Sequence, residues 1–208
     1  MTHHSSRVAL AFILAATACT AVRAQIDAGV SLFEALPGST TYADGAEHQD
    51  PAKAAGGLFE FRRISNPLFG FEATYSYNRA NQVFSYTGTT PAGSPPGPYV
   101  DSLSANQHEI TGDWVLSGPR ARFQPFALAG GGLLVTTPAG TITGENTRTS
   151  SEFVTVFGFG FDWRLVSKLG FRVQLRDNVC KAANITSGIS NPDFTQTFQQ
   201  LLGAYYKF

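Results

Sequence analysis

Histidine, cysteine and clustered acids are the side chains in this sequence that could do chemistry, and they are few. The stretch YADGAEHQD places Asp44, Glu47, His48 and Asp50 close together, an oxygen-rich set of the kind that holds a divalent cation. It lacks the ligand spacing of a calcium loop, so a solvated loop and no metal are expected. His108 shares one face of an alternating segment with Asn106 and Ser104, but no nucleophile, base and orienting group can be assembled around it. No catalytic residue and no cofactor is expected. Gly130-Gly131-Gly132 has no Lys-Ser/Thr behind it and is no phosphate loop; glycine there reads as relief of crowding in a tight wall. Asn184-Ile185-Thr186 matches a glycosylation acceptor by pattern alone.

A larger set of charges is arranged rather than clustered. Six acids (Asp27, Glu60, Glu72, Glu109, Asp113, Asp162) and five bases (Arg62, Arg164, Arg172, Arg176, Lys207) all sit on the polar side of segments that alternate with a period of two. That period is the mark of strands with one apolar face. It is clearest in FVTVFGFGFDWRL, where Phe153, Phe157, Phe159, Phe161 and Trp163 take one side and Gly158, Gly160, Asp162 and Arg164 the other. The same grammar runs through residues 26–32, 59–62, 71–78, 109–116, 169–176 and 194–208. RFQPFALAGGGLLV is the exception, being apolar or small on both sides. Eight strands are counted in this way.

The first 24 residues stand apart. Arg7 precedes the apolar run Val8 to Val22, and Val22-Arg23-Ala24 ends it, the pattern of a secretory signal peptide cut before Gln25. A spanning helix needs about 20 apolar residues, more than this run supplies. One domain, 25–208, is expected to follow. It carries 13 bases against 15 acids, a net of −2, so no basic patch invites nucleic acid. Cys180 is its one cysteine and has no internal disulfide partner.

Short connectors around Asn66-Pro67, Gly118-Pro119 and Ser167-Lys168 alternate with long ones at Pro37–Pro51, 87–100, Pro138–Ser150 and Lys181–Asp193. In a meander the long loops share one end, the asymmetry of an outer-membrane barrel. A soluble barrel with its apolar side inward is the competing arrangement. Its interior would be overfilled by Phe and Trp from every strand, because eight strands leave room only for side chains. Turned outward, the aromatics meet lipid and the charges must pair inside. Lipid forbids open strand edges, so the first strand must join the last. The expected fold is all-β: an eight-stranded antiparallel up-and-down transmembrane β-barrel.

The chain closes on GAYYKF, with Phe198, Leu202, Ala204, Tyr206 and Phe208 on one face. With its signal peptide, eight alternating strands and terminal Tyr-x-Phe, the chain resembles the small outer-membrane β-barrel family typified by the OmpA membrane domain and OmpX. The resemblance implies that Leu202, Tyr206 and Phe208 are read by the barrel-insertion machinery. It also implies a Gram-negative-type outer membrane, with lipid and lipopolysaccharide around the wall and loops open to an extracellular ligand. Some family members hydrolyse lipid A with a His/Ser/acid set on the outer surface, but here no acid follows His108 in register. The function expected is therefore non-enzymatic, in envelope structure or adhesion, with a narrow pore as the alternative and a lipid-modifying enzyme behind both.

Overall fold

A computed structural model describes residues 24–41, 47–65, 68–86, 99–119, 121–141, 146–186 and 193–208. Ten strands form a single antiparallel sheet. They are β1 (Gln25–Pro37), β2 (Thr40–Thr41), β3 (Glu47–Pro51), β4 (Ala54–Ile64), β5 (Phe69–Tyr86), β6 (Tyr99–Ser117), β7 (Phe123–Pro138), β8 (Ser150–Arg164), β9 (Leu169–Lys181) and β10 (Phe194–Lys207). The eight long strands pair with their neighbours in sequence, and β1 pairs with β10 from Asp27↔Lys207 to Pro37↔Thr197. The sheet is thereby closed into an eight-stranded, up-and-down barrel with no free edge along its wall, as a membrane-spanning sheet requires.

The two short strands were not expected. Pro37–Pro51 reads as a turn-rich loop, yet β2 and β3 form a hairpin inside it, and β3 pairs with Gln82–Tyr86 of β5 beyond the end of β4. Gln49 Nε2 donates to Gln82 Oε1 at 3.0 Å, so pairing to the long β5 overrides the poor strand propensity of EHQDP. Of the metal-loop candidates, Asp44 lies outside the described residues, and His48 and Asp50 are carried by β3. His48 Nδ1 lies 2.7 Å from Thr41 Oγ1 across the hairpin. Of the expected signal peptide, 1–24, residues 1–23 also lie outside the described residues.

Alternation places the apolar face outward. Phe59, Phe71, Trp114, Phe123, Phe157, Phe159, Trp163, Phe171, Tyr206 and Phe208 are all exposed on the outer wall. Asp27, Glu60, Arg62, Glu72, Asp113, Arg172 and Arg176 are no more than 1% exposed. A soluble protein does not present a wall of aromatics with its charges buried. This is a wall built for lipid. Not every ring faces out, however: Phe33, Phe84, Phe126 and Tyr205 are buried, Phe33 and Phe84 in small apolar clusters and Phe126 and Tyr205 beside arginines.

The glycine triplet lies where β6 and β7 come close. A Cβ on Gly130 would run into Asp113, and one on Gly132 into the Ile110 carbonyl. Asn184-Ile185-Thr186 is drawn inward, with Ile185 and Thr186 each 1% exposed and Thr186 bridged to Thr147.

Candidate functional site: the lumen and the outer rim

The arginines that alternation sends inward meet acids from distant strands. Arg172 on β9 makes a two-pronged contact with Asp162 on β8, Nε to Oδ1 at 2.6 Å and Nη2 to Oδ2 at 2.8 Å. It also reaches Asp27 on β1 at 3.1 Å and Glu60 on β4 at 2.7 Å. Arg62 on β4 donates from Nε to Glu72 Oε2 at 2.6 Å and touches Asp162 at 3.5 Å. Arg176 on β9 donates to Asp113 Oδ2 and Thr111 Oγ1, each at 3.0 Å, and stands 3.8 Å from Glu72. Shared carboxylates link the three guanidiniums into one network that ties together β1, β4, β5, β6, β8 and β9.

The two remaining barrel strands supply rings. Arg62 lies 4.0 Å from the centre of the Phe126 ring on β7, and Arg172 lies 5.0 Å from that of Tyr205 on β10, distances at which a cation is attracted to a ring face. Small residues opposite make the room. A Cβ at Gly170 would lie 2.5 Å from Tyr205 Cζ.

Of the eleven expected network members, Glu109 and Arg164 make no ion pair among the described residues. Glu109 has Asn178 as its partner, whose Nδ2 donates to Oε2 at 2.7 Å. Lys207 donates to Gln25 Oε1 at 3.1 Å at the inner end. Arg164 is half-buried at that end, and no ion pair joins it to the six acids among the described residues. All three lie on the inward parity of their strands; depth along the barrel, which parity does not encode, keeps Arg164 at the inner end. Phe126 and Tyr205 were missed as partners of the arginines. Tyr205 has a signal in its parity, opposite to Tyr206, whereas Phe126 sits on the strand whose two faces read alike.

Toward the outer end the lumen changes character. Asn78 donates to Gln107 at 2.8 Å. At this pair lies a small cavity of about 50 Å³, whose lining includes Asn78, Gln82, Gln107, Leu134, Cys180 and Thr197. Cys180 is buried as a free thiol.

His108 is on the outer wall, as its parity required. Its Nδ1 lies 2.9 Å from the Tyr75 hydroxyl, and its ring centroid is 5.0 Å from that of Tyr77. Among the described residues its neighbours are Tyr75 and Tyr77, with Asn106 bonded to Tyr77, and no acid is seen to orient it for general-base work.

No family model matches the chain, and no curated protein matches it by sequence. Solved structures do. The attachment invasion locus protein of Yersinia pestis, Ail, in complex with the heparin analogue sucrose octasulfate, superposes with a TM-score of 0.56 at 13% identity, over 90% of this chain and 100% of that one. OprG from Pseudomonas aeruginosa gives 0.53 at 16% identity, over 89% and 95%. Neisserial surface protein A gives 0.51 at 12% identity, over 89% and 97%. The chain shares the fold of these small eight-stranded outer-membrane β-barrels.

Proposed function

We propose that the chain is a non-enzymatic protein of a Gram-negative-type outer membrane, exported by residues 1–24, which serves envelope structure or surface attachment. The observation that carries this reading is the arginine–carboxylate network across the lumen. Three guanidiniums, each no more than 1% exposed, crowd the inner half with Phe126 and Tyr205 beside them, an arrangement that speaks against a continuous wet path. A narrow pore is the second reading, favoured by the cavity in the outer half of the lumen. Conductance of the purified barrel in planar bilayers separates the two. The structural reading expects a baseline indistinguishable from protein-free bilayers; steady single-channel steps would replace it with the pore.

Insertion into the membrane brings in a further partner. Leu202 and Tyr206 are exposed on the outer wall of β10 and Phe208 just past its end, and Tyr206 and Phe208 meet edge to face with ring centroids 5.2 Å apart. Our reading gives these residues a second role, as the signal taken up by the insertion machinery. A fully buried Phe is worth only about 1.5 to 3 kcal/mol, so deleting Phe208 should leave the detergent-refolded barrel modestly destabilised. Outer-membrane yield in cells should fall far more steeply. A yield that tracks the measured stability loss would leave Phe208 as wall packing alone.

A further inference from the structure

The outer wall is not the same all the way round. On β4 the outward row begins at Arg63, runs through Phe61, Phe59, Gly57 and Ala55, and ends ten residues away at Lys53, just before the strand. Ten residues of a strand tilted by about 40° rise roughly 25 Å, the height of the apolar band of an outer-membrane barrel. The same interval on β5 leads from Phe69 to Arg79, and on β6 from Leu116 to Asn106. On β7 and β8 it leads from Phe123 to Leu133 and from Trp163 to Phe153, and both end points are exposed hydrophobics. Polar and cationic groups thus stand at the outer boundary over β4, β5 and β6, where β7 and β8 remain apolar at that height.

Hydrogen bonding within this sector uses up acceptors and leaves donors. The Tyr77 hydroxyl donates to Asn106 Oδ1 at 3.2 Å, and the Ser104 hydroxyl donates to Asn81 Oδ1 at 2.6 Å. Among the described residues both amide NH2 groups stay available. The Tyr75 hydroxyl pairs with His108 Nδ1 at 2.9 Å, which leaves the other ring nitrogen for a further partner. Arg79 faces Asn106 in register, and Ala52, next to Lys53, bonds to the Asn81 carbonyl, so both cations border these donors. Glu34, on the neighbouring β1, is the closest outward-facing acid in register. Among the described residues no ion pair joins it, or any other carboxylate, to Lys53 or Arg79.

Two cations and several N–H donors without acceptors call for an anion with several oxygens. At the outer boundary of the apolar band, the anion within reach is a phosphate on a lipid headgroup. We propose that Lys53, Arg79, Asn106 and His108 form a docking site for the phosphorylated sugar headgroup of an outer-leaflet glycolipid, with Tyr75 and Tyr77 packing beneath it. The proposal rests on the outer-membrane reading above. Acyl chains of such a lipid would lie against Phe59, Ala55 and Ile110 on the wall below.

The test uses the purified barrel in detergent micelles, with native mass spectrometry reading the binding of bisphosphorylated lipid A and of the same lipid stripped of both phosphates. The wild type should favour the phosphorylated lipid. Combined Lys53→Ala and Arg79→Ala should weaken its binding about tenfold or more, the scale of losing charge-assisted bonds, while leaving binding of the stripped lipid unchanged. The exchange Lys53→Arg with Arg79→Lys should keep most of the preference, and Arg122→Ala with Lys168→Ala at the other end should not alter it. Heat-modifiable gel migration verifies that each variant is folded, and fractionation of cells tests the outer-membrane reading separately. Equal binding of both lipids by the wild type, or an undiminished preference in the double alanine variant, would overturn the site. So would displacement of the lipid by micromolar inorganic phosphate, since the lipid would then not be the source of the anion.

Discussion

Arg172→Met should destabilise the refolded barrel by about 3 to 5 kcal/mol, the range for removing one partner of a buried ion pair. The side chain is fully buried, and its loss removes the guanidinium that Asp162, Asp27 and Glu60 share in the inner half of the lumen. Met replaces much of the volume, so the loss reports charge rather than a cavity. Most of the cost comes from carboxylates left short of positive charge, Asp162 keeping only its 3.5 Å contact with Arg62, since burying a poorly paired charge is expensive. Replacing Arg164 by Met at the inner end should do little by comparison. Denaturant unfolding in micelles, followed by tryptophan fluorescence and by the loss of heat-modifiable migration, measures both. If Arg172→Met proved no more harmful than Arg164→Met, water or bound ions would have to carry the charge, and the network would lose its structural role.

The second large effect concerns the outer wall and depends on depth. Phe159 on β8 is 61% exposed and lies four residues above Trp163, toward the middle of the apolar band. Phe159→Arg should cost about 2 to 4 kcal/mol, as arginine does near the bilayer midplane. Phe153 is just as exposed, at 66%, but lies at the outer boundary. There the same substitution should cost about 0 to 1 kcal/mol. Unfolding of both variants in lipid vesicles supplies the comparison. Equal tolerance at the two positions would mean that no apolar slab surrounds the wall. A gradient in the opposite sense would mean that the band has been placed at the wrong height.

These two experiments divide along the line between what the sequence and the tertiary structure each decide. Which way Phe159 and Asp162 point was legible from FVTVFGFGFDWRL alone, because successive side chains on a strand go to opposite faces and a single slip would invert them all. The strand count, the positions of the short turns and the closure of β1 onto β10 followed from the same pattern, together with the rule that lipid tolerates no open edge. Depth and partnership were not legible. Arg172 and Asp27 are 145 residues apart, and nothing local tells an arginine which of six inward acids stands at its own level. Closure of the barrel, with its stagger between strands, sets those levels. That is why Arg172 gathers three carboxylates while Arg164, on the same face of β8 as Asp162, remains at the rim. The hairpin in Pro37–Pro51 is a tertiary result for the same reason: EHQDP becomes a strand only because β5 runs beyond β4 and leaves an edge to be paired. The donor cluster over β4, β5 and β6 likewise draws on residues from 53 to 108, each unremarkable in its own segment, which the register of three strands brings to one height on one side of the wall.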